Sequence, residues 1–133
     1  MKQISIIGLF VIVLACLSWP GYLFAQNDAL REAMDDTQGA KDELMEAVNT
    51  EQGEKITAAA DTIVKLLEEV RTFWADKKMP DVLKMFDDTI GQAKAMSAMG
   101  TSGKLDGAKE AFAKLNASCS RCHDTHPEEK LPK

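Results

Sequence analysis

Aromatic side chains are scarce in this chain of 133 residues, at 6% of the total, and proline occurs only 4 times. Alanine, methionine, lysine and glutamate are plentiful instead, and this mixture favours helices over sheets. No alternation of apolar and polar residues is long enough to predict a strand. The length allows one ordinary domain without a second core. We therefore expect a single all-α domain.

Positive charge is also in short supply. Lysine and arginine number 16 against 21 aspartate and glutamate residues, which gives a net charge of −5. A nucleic-acid-binding protein usually carries a positive excess or a clear basic block, and the chain has neither. Nucleic acid is therefore not an expected partner. Apolar residues make up 45% and charged residues 28%, which is a globular composition rather than that of a largely disordered chain.

The N-terminus has the pattern of a secretory signal. Lys2 supplies a positive start, the run from Ile4 to Leu17 is almost wholly apolar, and small Ala25 stands where a signal peptidase cuts. The apolar run is shorter than the roughly 20 residues that a membrane-spanning helix needs. We therefore expect residues 1–25 to be a cleaved signal, and residues 26–133 to form a periplasmic domain that is not held at a membrane.

Cysteine is rare, with 3 in the chain. Cys16 lies in the predicted signal, where the preceding residues only faintly resemble a lipid-attachment site. Cys119 and Cys122 alone remain after cleavage. Export to an oxidising compartment normally favours disulfides, but a bridge between these two residues closes too small a loop to stabilise a fold. The pair therefore requires another explanation.

Apolar residues at helical spacing predict four helices, over about residues 28–48, 54–76, 80–99 and 105–123. Pro80 suits the first turn of the third helix, and the Gly100–Gly103 segment is expected to break the chain after it. Short connections between four amphipathic helices predict an antiparallel up-down-up-down bundle. The expected inward faces are Leu30, Met34, Thr37, Leu44 and Val48; Ile56, Ala60, Ile63, Leu67, Val70 and Trp74; Val82, Phe86, Ile90, Ala93 and Ser97; and Ala108, Phe112, Leu115, Cys119 and Cys122.

The chemistry is concentrated in Cys119-Ser120-Arg121-Cys122-His123, which has the Cys-x-x-Cys-His pattern of covalent haem attachment. Two thiols about one helical turn apart can each add to one of the two vinyl groups on a porphyrin edge. The adjacent imidazole can then bind the iron. The pattern predicts one covalently attached haem c, with Cys119 and Cys122 as thioether anchors and His123 as the proximal iron ligand.

Three alternative interpretations use the same residues. A thioredoxin-like redox pair needs a βαβ context, which the sequence lacks. A zinc site would recruit Cys119, Cys122, His123 and His126, but ligands so close on one helix cannot easily surround a tetrahedral ion. A buried pair of structural thiols is the third. Haem is favoured because the chain has an export signal and because the motif uses every cysteine that remains.

The stretch from Ala113 to Asp124 resembles the last helix of the cytochrome c′ family and its low-spin relatives. The resemblance implies an exported four-helix bundle with one haem near the C-terminal end of helix four. Family members often have an aromatic and a basic residue where this chain has His126 and Pro127. The haem edge would then lack a cation near its propionates, for which Arg121 and Lys130 are candidate substitutes.

A distal iron ligand is expected near the start of helix one, because an antiparallel bundle places the end of helix four beside it. Met34 lies about two turns into helix one and shares a face with Leu30, so we predict that its thioether binds iron opposite His123. Ordinary core packing is the alternative role for Met34. The other methionines are expected elsewhere: Met45 too deep, Met79 in a turn, and Met85, Met96 and Met99 on helix three away from the haem.

These residues predict a protein that carries single electrons through Fe(III)/Fe(II), and no arrangement for enzymatic catalysis is evident. The resemblance adds an alternative, a five-coordinate protein that binds NO or CO, and a homodimer through helices one and two. The acidic surface predicts redox partners with a basic docking face. Trp74 and Phe112 are expected in the core as candidates for porphyrin contact. His126 lies on the same helix as His123 and therefore cannot reach the distal side of the haem.

Overall fold

The computed structural model describes the backbone of residues 19–126 and the side chains of residues 28–126. It contains four helices, α1 Trp19–Asn49, α2 Gly53–Asp76, α3 Pro80–Ser102 and α4 Ala108–Thr125, and no strand within that range. The predicted all-α fold is confirmed. Most of the predicted signal, Pro127 and the tail that follows it lie outside the described residues.

Each helix packs against its neighbours in the chain. Contacts join α1 to α2, α2 to α3 and α3 to α4, and α4 closes back on α1 through the sparsest of the four interfaces. Between residues 19 and 126, no contact joins α1 to α3 or α2 to α4 across the diagonal. The molecule is therefore a four-helix bundle whose most open side lies between its first and last helices.

Two cross-helix hydrogen bonds give the relative direction of α2 and α3. Thr57, early in α2, donates its hydroxyl to the carbonyl of Ser97 near the end of α3 at 3.2 Å. Arg71, late in α2, donates to Asp87 near the start of α3 at 2.6 Å. Contacts that run in opposite order along two helices are those of an antiparallel pair. The up-down-up-down order of all four helices stays a prediction.

The core follows the predicted apolar stripes closely in α2. All six residues expected to face inward there are buried, and Ile56 and Ile63 are almost completely so. In α1 the stripe is also buried, except that Met34 is half-buried. The largest fully buried side chains of the described residues are Leu44, Ile56, Ile63, Val82, Met96 and Leu115. Met96 is thus a central core residue.

The helix boundaries differ from the predicted ones at three places. α1 begins at Trp19 rather than near residue 28, and Pro20 falls in its first turn, where a proline is tolerated. α3 continues to Ser102, and Gly103 ends it with a left-handed φ of 68°. α4 begins at Ala108 instead of Leu105, after Gly107 with a φ of 83°.

Gly100 therefore lies inside α3 rather than in a loop, and it is buried. A Cβ atom added there would be 2.5 Å from the carbonyl oxygen of Gly53 and 2.5 Å from the hydroxyl of Thr57. Real Cβ atoms do not approach other atoms so closely. The backbones of α2 and α3 touch at this point, so Gly100 permits the close crossing of the two helices.

Gly100→Ala is expected to lower the free energy of unfolding by about 1–3 kcal/mol, because the added methyl group must push the two backbones apart. Urea unfolding followed by circular dichroism measures the change. Gly91→Ala is the matched control, since Gly91 lies in the same helix with no atom within 4 Å of its added Cβ. That variant should gain up to about 1 kcal/mol from better helix propensity. Equal stability of the two variants would contradict the close crossing.

Candidate functional site

A cavity of about 460 Å³ opens on the side of the bundle between α1 and α4. Its volume is within the range of about 300–1,000 Å³ that is usual for small-molecule and cofactor sites. All four helices contribute to its walls. The lining residues are Met34, Asp35, Thr37, Gln38 and Lys41 of α1, Leu67 of α2, Met85, Phe86 and Thr89 of α3, and Ser118, Cys119, Ser120, Cys122, His123 and Asp124 of α4.

The α4 wall carries the Cys-x-x-Cys-His motif. Cys119, Cys122 and His123 are three and four residues apart, so a helix places all three side chains on one face. Both thiols are free and half-buried, and the imidazole is exposed. One face of a single helix thus presents two thiols and an imidazole to the cavity.

Ser118 rather than a cysteine is the deeply buried residue of this turn, with 2% of its surface exposed. Arg121 donates a guanidinium hydrogen bond to the Ser118 hydroxyl oxygen at 3.1 Å. Arg121 does not line the cavity, and Lys130 lies beyond the described residues. The cation that does line the wall is Lys41, on the opposite helix.

Met34 of α1 lines the same cavity as His123 and packs against the core. The structure therefore brings together the four residues selected from the sequence, from helices at the two ends of the chain. Their placement depends on the close approach of the end of α4 to the middle of α1, because α1 begins at Trp19 and Met34 lies about four turns into it rather than the expected two. The ligand role of Met34 stays a prediction.

The expectation that Met85 lies away from this face is wrong, because Met85 is a second thioether on the cavity wall. Met85 directly precedes Phe86, which belongs to the buried stripe of α3, and both side chains line the cavity. Thr89, four residues further along, lies on the same side of α3 and also lines the cavity, which helix periodicity alone does not reveal.

The interior of the cavity is apolar. Leu67 and Phe86 are buried hydrocarbon surfaces on its inner wall. Two of the three buried hydroxyls on its wall, the third being that of Ser118, bond to their own helices: Thr37 donates to the Ala33 carbonyl at 2.6 Å, and Thr89 donates to the Met85 carbonyl at 2.8 Å. Neither hydroxyl proton is therefore available to a molecule inside the cavity.

Polar groups lie at the rim instead. Asp35, Gln38, Ser120 and Asp124 line the opening and are exposed. An apolar interior with a polar rim suits a flat macrocycle whose acidic groups remain near solvent. Two thiols, one imidazole and two thioethers are also the donor types that bind haem c covalently and through its iron. The residues present therefore fit a haem.

The electrostatics of the thiols differ from those of a redox-active pair. Burial raises the pKa of the Cys119 thiol, and nearby Lys41 opposes the rise only in part. Burial also raises the pKa of Cys122, and the negative charges of Cys119 and Asp81 act in the same direction. Catalytic dithiols show lowered thiol pKa values. The site therefore does not support the thioredoxin-like alternative.

Thiol alkylation in the haem-free chain is expected to be slow at neutral pH and to accelerate as the pH rises. The thiolate is the reacting form, and raised pKa values move its appearance to higher pH than for a free cysteine. Iodoacetamide labelling followed by mass spectrometry from pH 6 to pH 10 measures the profile. The urea-unfolded chain is the control. If the folded chain were labelled faster than the unfolded chain at pH 7, that result would contradict the raised pKa values of the two thiols.

Trp74 and Phe112 do not reach the cavity, so the expectation that they are candidates for porphyrin contact is not supported. Trp74 is buried near the end of α2, where its ring and that of Phe73 form a T-shaped pair with 5.2 Å between centroids. Phe112 is half-buried against the core, two turns before Cys119. Leu67 and Phe86 are the large apolar residues on the inner wall of the cavity.

The zinc alternative receives no support from the described chain. Among residues 19–126, no group of three or more histidine, cysteine, aspartate or glutamate side chains is arranged to hold a metal ion. His126, the fourth residue of the hypothetical set, points its Nε2 at Asp81 instead, at 2.7 Å. In the same part of the chain, no helix has the length and hydropathy needed to cross a membrane.

No protein-family model, curated protein or solved structure matches this chain. The class of molecule is therefore defined by the structure itself, as a four-helix bundle with a side cavity lined by two thiols, an imidazole and two thioethers. What the cavity does has to be inferred from the chemistry of these side chains.

Proposed function

We propose that the chain is an exported monohaem c-type cytochrome that carries single electrons. The observation that supports this most strongly is the joint placement of Cys119, Cys122 and His123 with Met34 on one cavity. A chance Cys-x-x-Cys-His sequence on a helix would not be expected to face a cofactor-sized, apolar cavity with a thioether on another wall.

Each of these residues has a chemical role in the proposal. The thiols of Cys119 and Cys122 add their S–H bonds across two vinyl double bonds, so two thioethers form without an external oxidant or reductant. In the haem-loaded chain, the imidazole of His123 and the thioether of Met34 would hold the iron. A haem held in this way alternates between Fe(III) and Fe(II), and methionine ligation raises its reduction potential.

The rest of the cavity supports electron transfer rather than catalysis. Leu67 and Phe86 exclude water from the inner face, and the hydroxyls of Thr37 and Thr89 are engaged within their helices. The exposed carboxylates of Asp35 and Asp124 lie at the rim. Together with the net charge of −5, they favour a redox partner with a basic docking face.

The presence of two thioethers favours a six-coordinate iron over the five-coordinate alternative. Met34 and Met85 both line the cavity, so a ligand for the sixth position is available from α1 or α3. We assign Met34 this role because it lies on α1, which faces α4 across the open side of the bundle. The alternative is an open sixth position that binds NO or CO, and the absorption spectrum of the haem-loaded protein distinguishes the two.

Expression of the full chain in a host that attaches haem to exported cytochromes tests the proposal. We expect a red protein whose intact mass, after denaturation, equals the chain from Gln26 plus one haem. Its reduced and oxidised spectra should be low-spin and interconvert reversibly. A colourless protein with both thiols free to react would contradict the haem assignment. A haem protein that is high-spin and binds CO readily would support the gas-binding alternative.

A further inference from the structure

The last turn of α4 is tied to the first turn of α3 by a side-chain contact that the haem motif does not use. Nε2 of His126 and Oδ2 of Asp81 are 2.7 Å apart, and they join residues separated by 45 positions in the chain. The His126 side chain is only 13% exposed, whereas that of Asp81 is 56% exposed. The imidazole is thus held in a largely enclosed position.

This contact lies directly after the proposed iron ligand. His126 caps α4, and its backbone N–H donates to the carbonyl of Cys122 at 3.0 Å. The last carbonyls of any helix lack partners within the helix, so the terminal turn opens easily. Because the α1–α4 interface is sparse, contacts with α3 must hold this turn.

The ionised state of Asp81 suits it to this contact. Partial burial works against ionisation, but hydrogen bonds from the backbone N–H of Val82 and from His126 outweigh it and lower the pKa of Asp81. The carboxylate also lies in the first turn of α3, where negative charge is favoured. Asp81 is therefore a charged acceptor at neutral pH.

We propose that Asp81 and His126 are positioning residues, which fix the end of α4 so that the His123 imidazole keeps one direction toward the iron. This inference rests on the proposed haem function. Without the contact, the last turn of α4 would open more often, and His123 would leave the iron more often. The pair also gives His126 a role at a position where cytochrome c′-like sequences often have an aromatic residue.

Replacement of His126 in the haem-loaded protein tests the proposal. His126→Leu removes the donor, and we expect the haem to stay attached while added imidazole replaces His123, as distinct from Met34, on the iron at least threefold faster; the nuclear magnetic resonance signals of the bound Met34 methyl and the bound His123 ring tell the two replacements apart. His126→Gln places an amide N–H near the position of Nε2 and should restore most of the slow rate. Asp81→Ala should reproduce the fast rate, and it replaces His126→Leu if that variant does not fold.

Asp87→Asn is the matched control. Asp87 is 55% exposed on the same helix and accepts a 2.6 Å hydrogen bond from Arg71, but this contact joins α3 to α2 rather than to α4. It should leave the imidazole rate unchanged. An unchanged rate in His126→Leu, or an equal acceleration in Asp87→Asn, would overturn a positioning role.

Hydrogen exchange in the haem-free chain separates this inference from the proposed function. The His126→Leu substitution should speed exchange of the last-turn amides of α4 while leaving those of α2 unchanged. If no haem attaches to the wild-type chain but the α4 amides still respond, the haem function fails and the Asp81–His126 contact stands. If the amides do not respond, the proposed contact fails whether or not haem attaches.

Discussion

The double substitution Cys119→Ala/Cys122→Ala is expected to reduce covalently bound haem from one per chain to none. Both thiols lie on one face of α4 and line one cavity, so each can form one of the two thioether bonds. Thioethers survive denaturation, whereas iron ligation by His123 alone does not. Intact mass after denaturation therefore measures the loss directly, in protein expressed in a haem-attaching host.

The single substitutions are expected to act differently from the double one. Either Cys119→Ala or Cys122→Ala leaves one thioether, so the mass should still include one haem while one vinyl group stays unsaturated. That vinyl group should shift the absorption of the pyridine-complexed haem to longer wavelength. The two single variants together show whether both sulfur atoms form a thioether with the haem.

Ser120→Ala is the control for substitution within the motif. Ser120 lies between the two cysteines, is exposed, and donates its hydroxyl to the carbonyl of Asn116 at 3.2 Å in its own helix. Haem content should be unchanged in this variant. Haem that survives denaturation in the double cysteine variant, with helix content intact, would show that attachment does not use these sulfurs.

The sequence was most informative where many residues repeat one spacing. The apolar stripe from Ile56 to Trp74 predicts α2 and its buried face almost residue by residue, because burial of that face is the main source of helix stability. The Cys-x-x-Cys-His spacing likewise predicts one face of α4, since it depends only on local helix geometry.

Contacts between distant segments could not be predicted in the same way. Gly100 has the composition signal of a loop, and its role in the crossing depends on Gly53, which only the packing of α2 on α3 brings near. The Asp81–His126 contact has no local spacing to reveal it. Met85 was misplaced because the cavity extends to α3, and helix periodicity alone does not show where a cavity ends.

Met34→Ala is expected to convert a low-spin, six-coordinate spectrum into a high-spin spectrum that shifts on addition of CO. Alanine has no donor atom, so the iron loses its thioether while His123 stays bound. The reduction potential should fall as well, because methionine ligation is what raises it. Met34 is half-buried rather than central in the core, so the variant should remain folded with a loss below the 2–5 kcal/mol typical of a buried methionine.

Met85→Ala is the matched control, because it removes a half-buried thioether from another wall of the same cavity. It should keep the low-spin spectrum if Met34 is the ligand. The reverse result, a high-spin Met85→Ala and an unchanged Met34→Ala, would move the distal ligand from α1 to α3 and keep the electron-transfer function. If neither substitution changes a spectrum that is already high-spin, both thioethers are packing residues. The cavity would then hold a five-coordinate iron, and the gas-binding function would replace the one proposed.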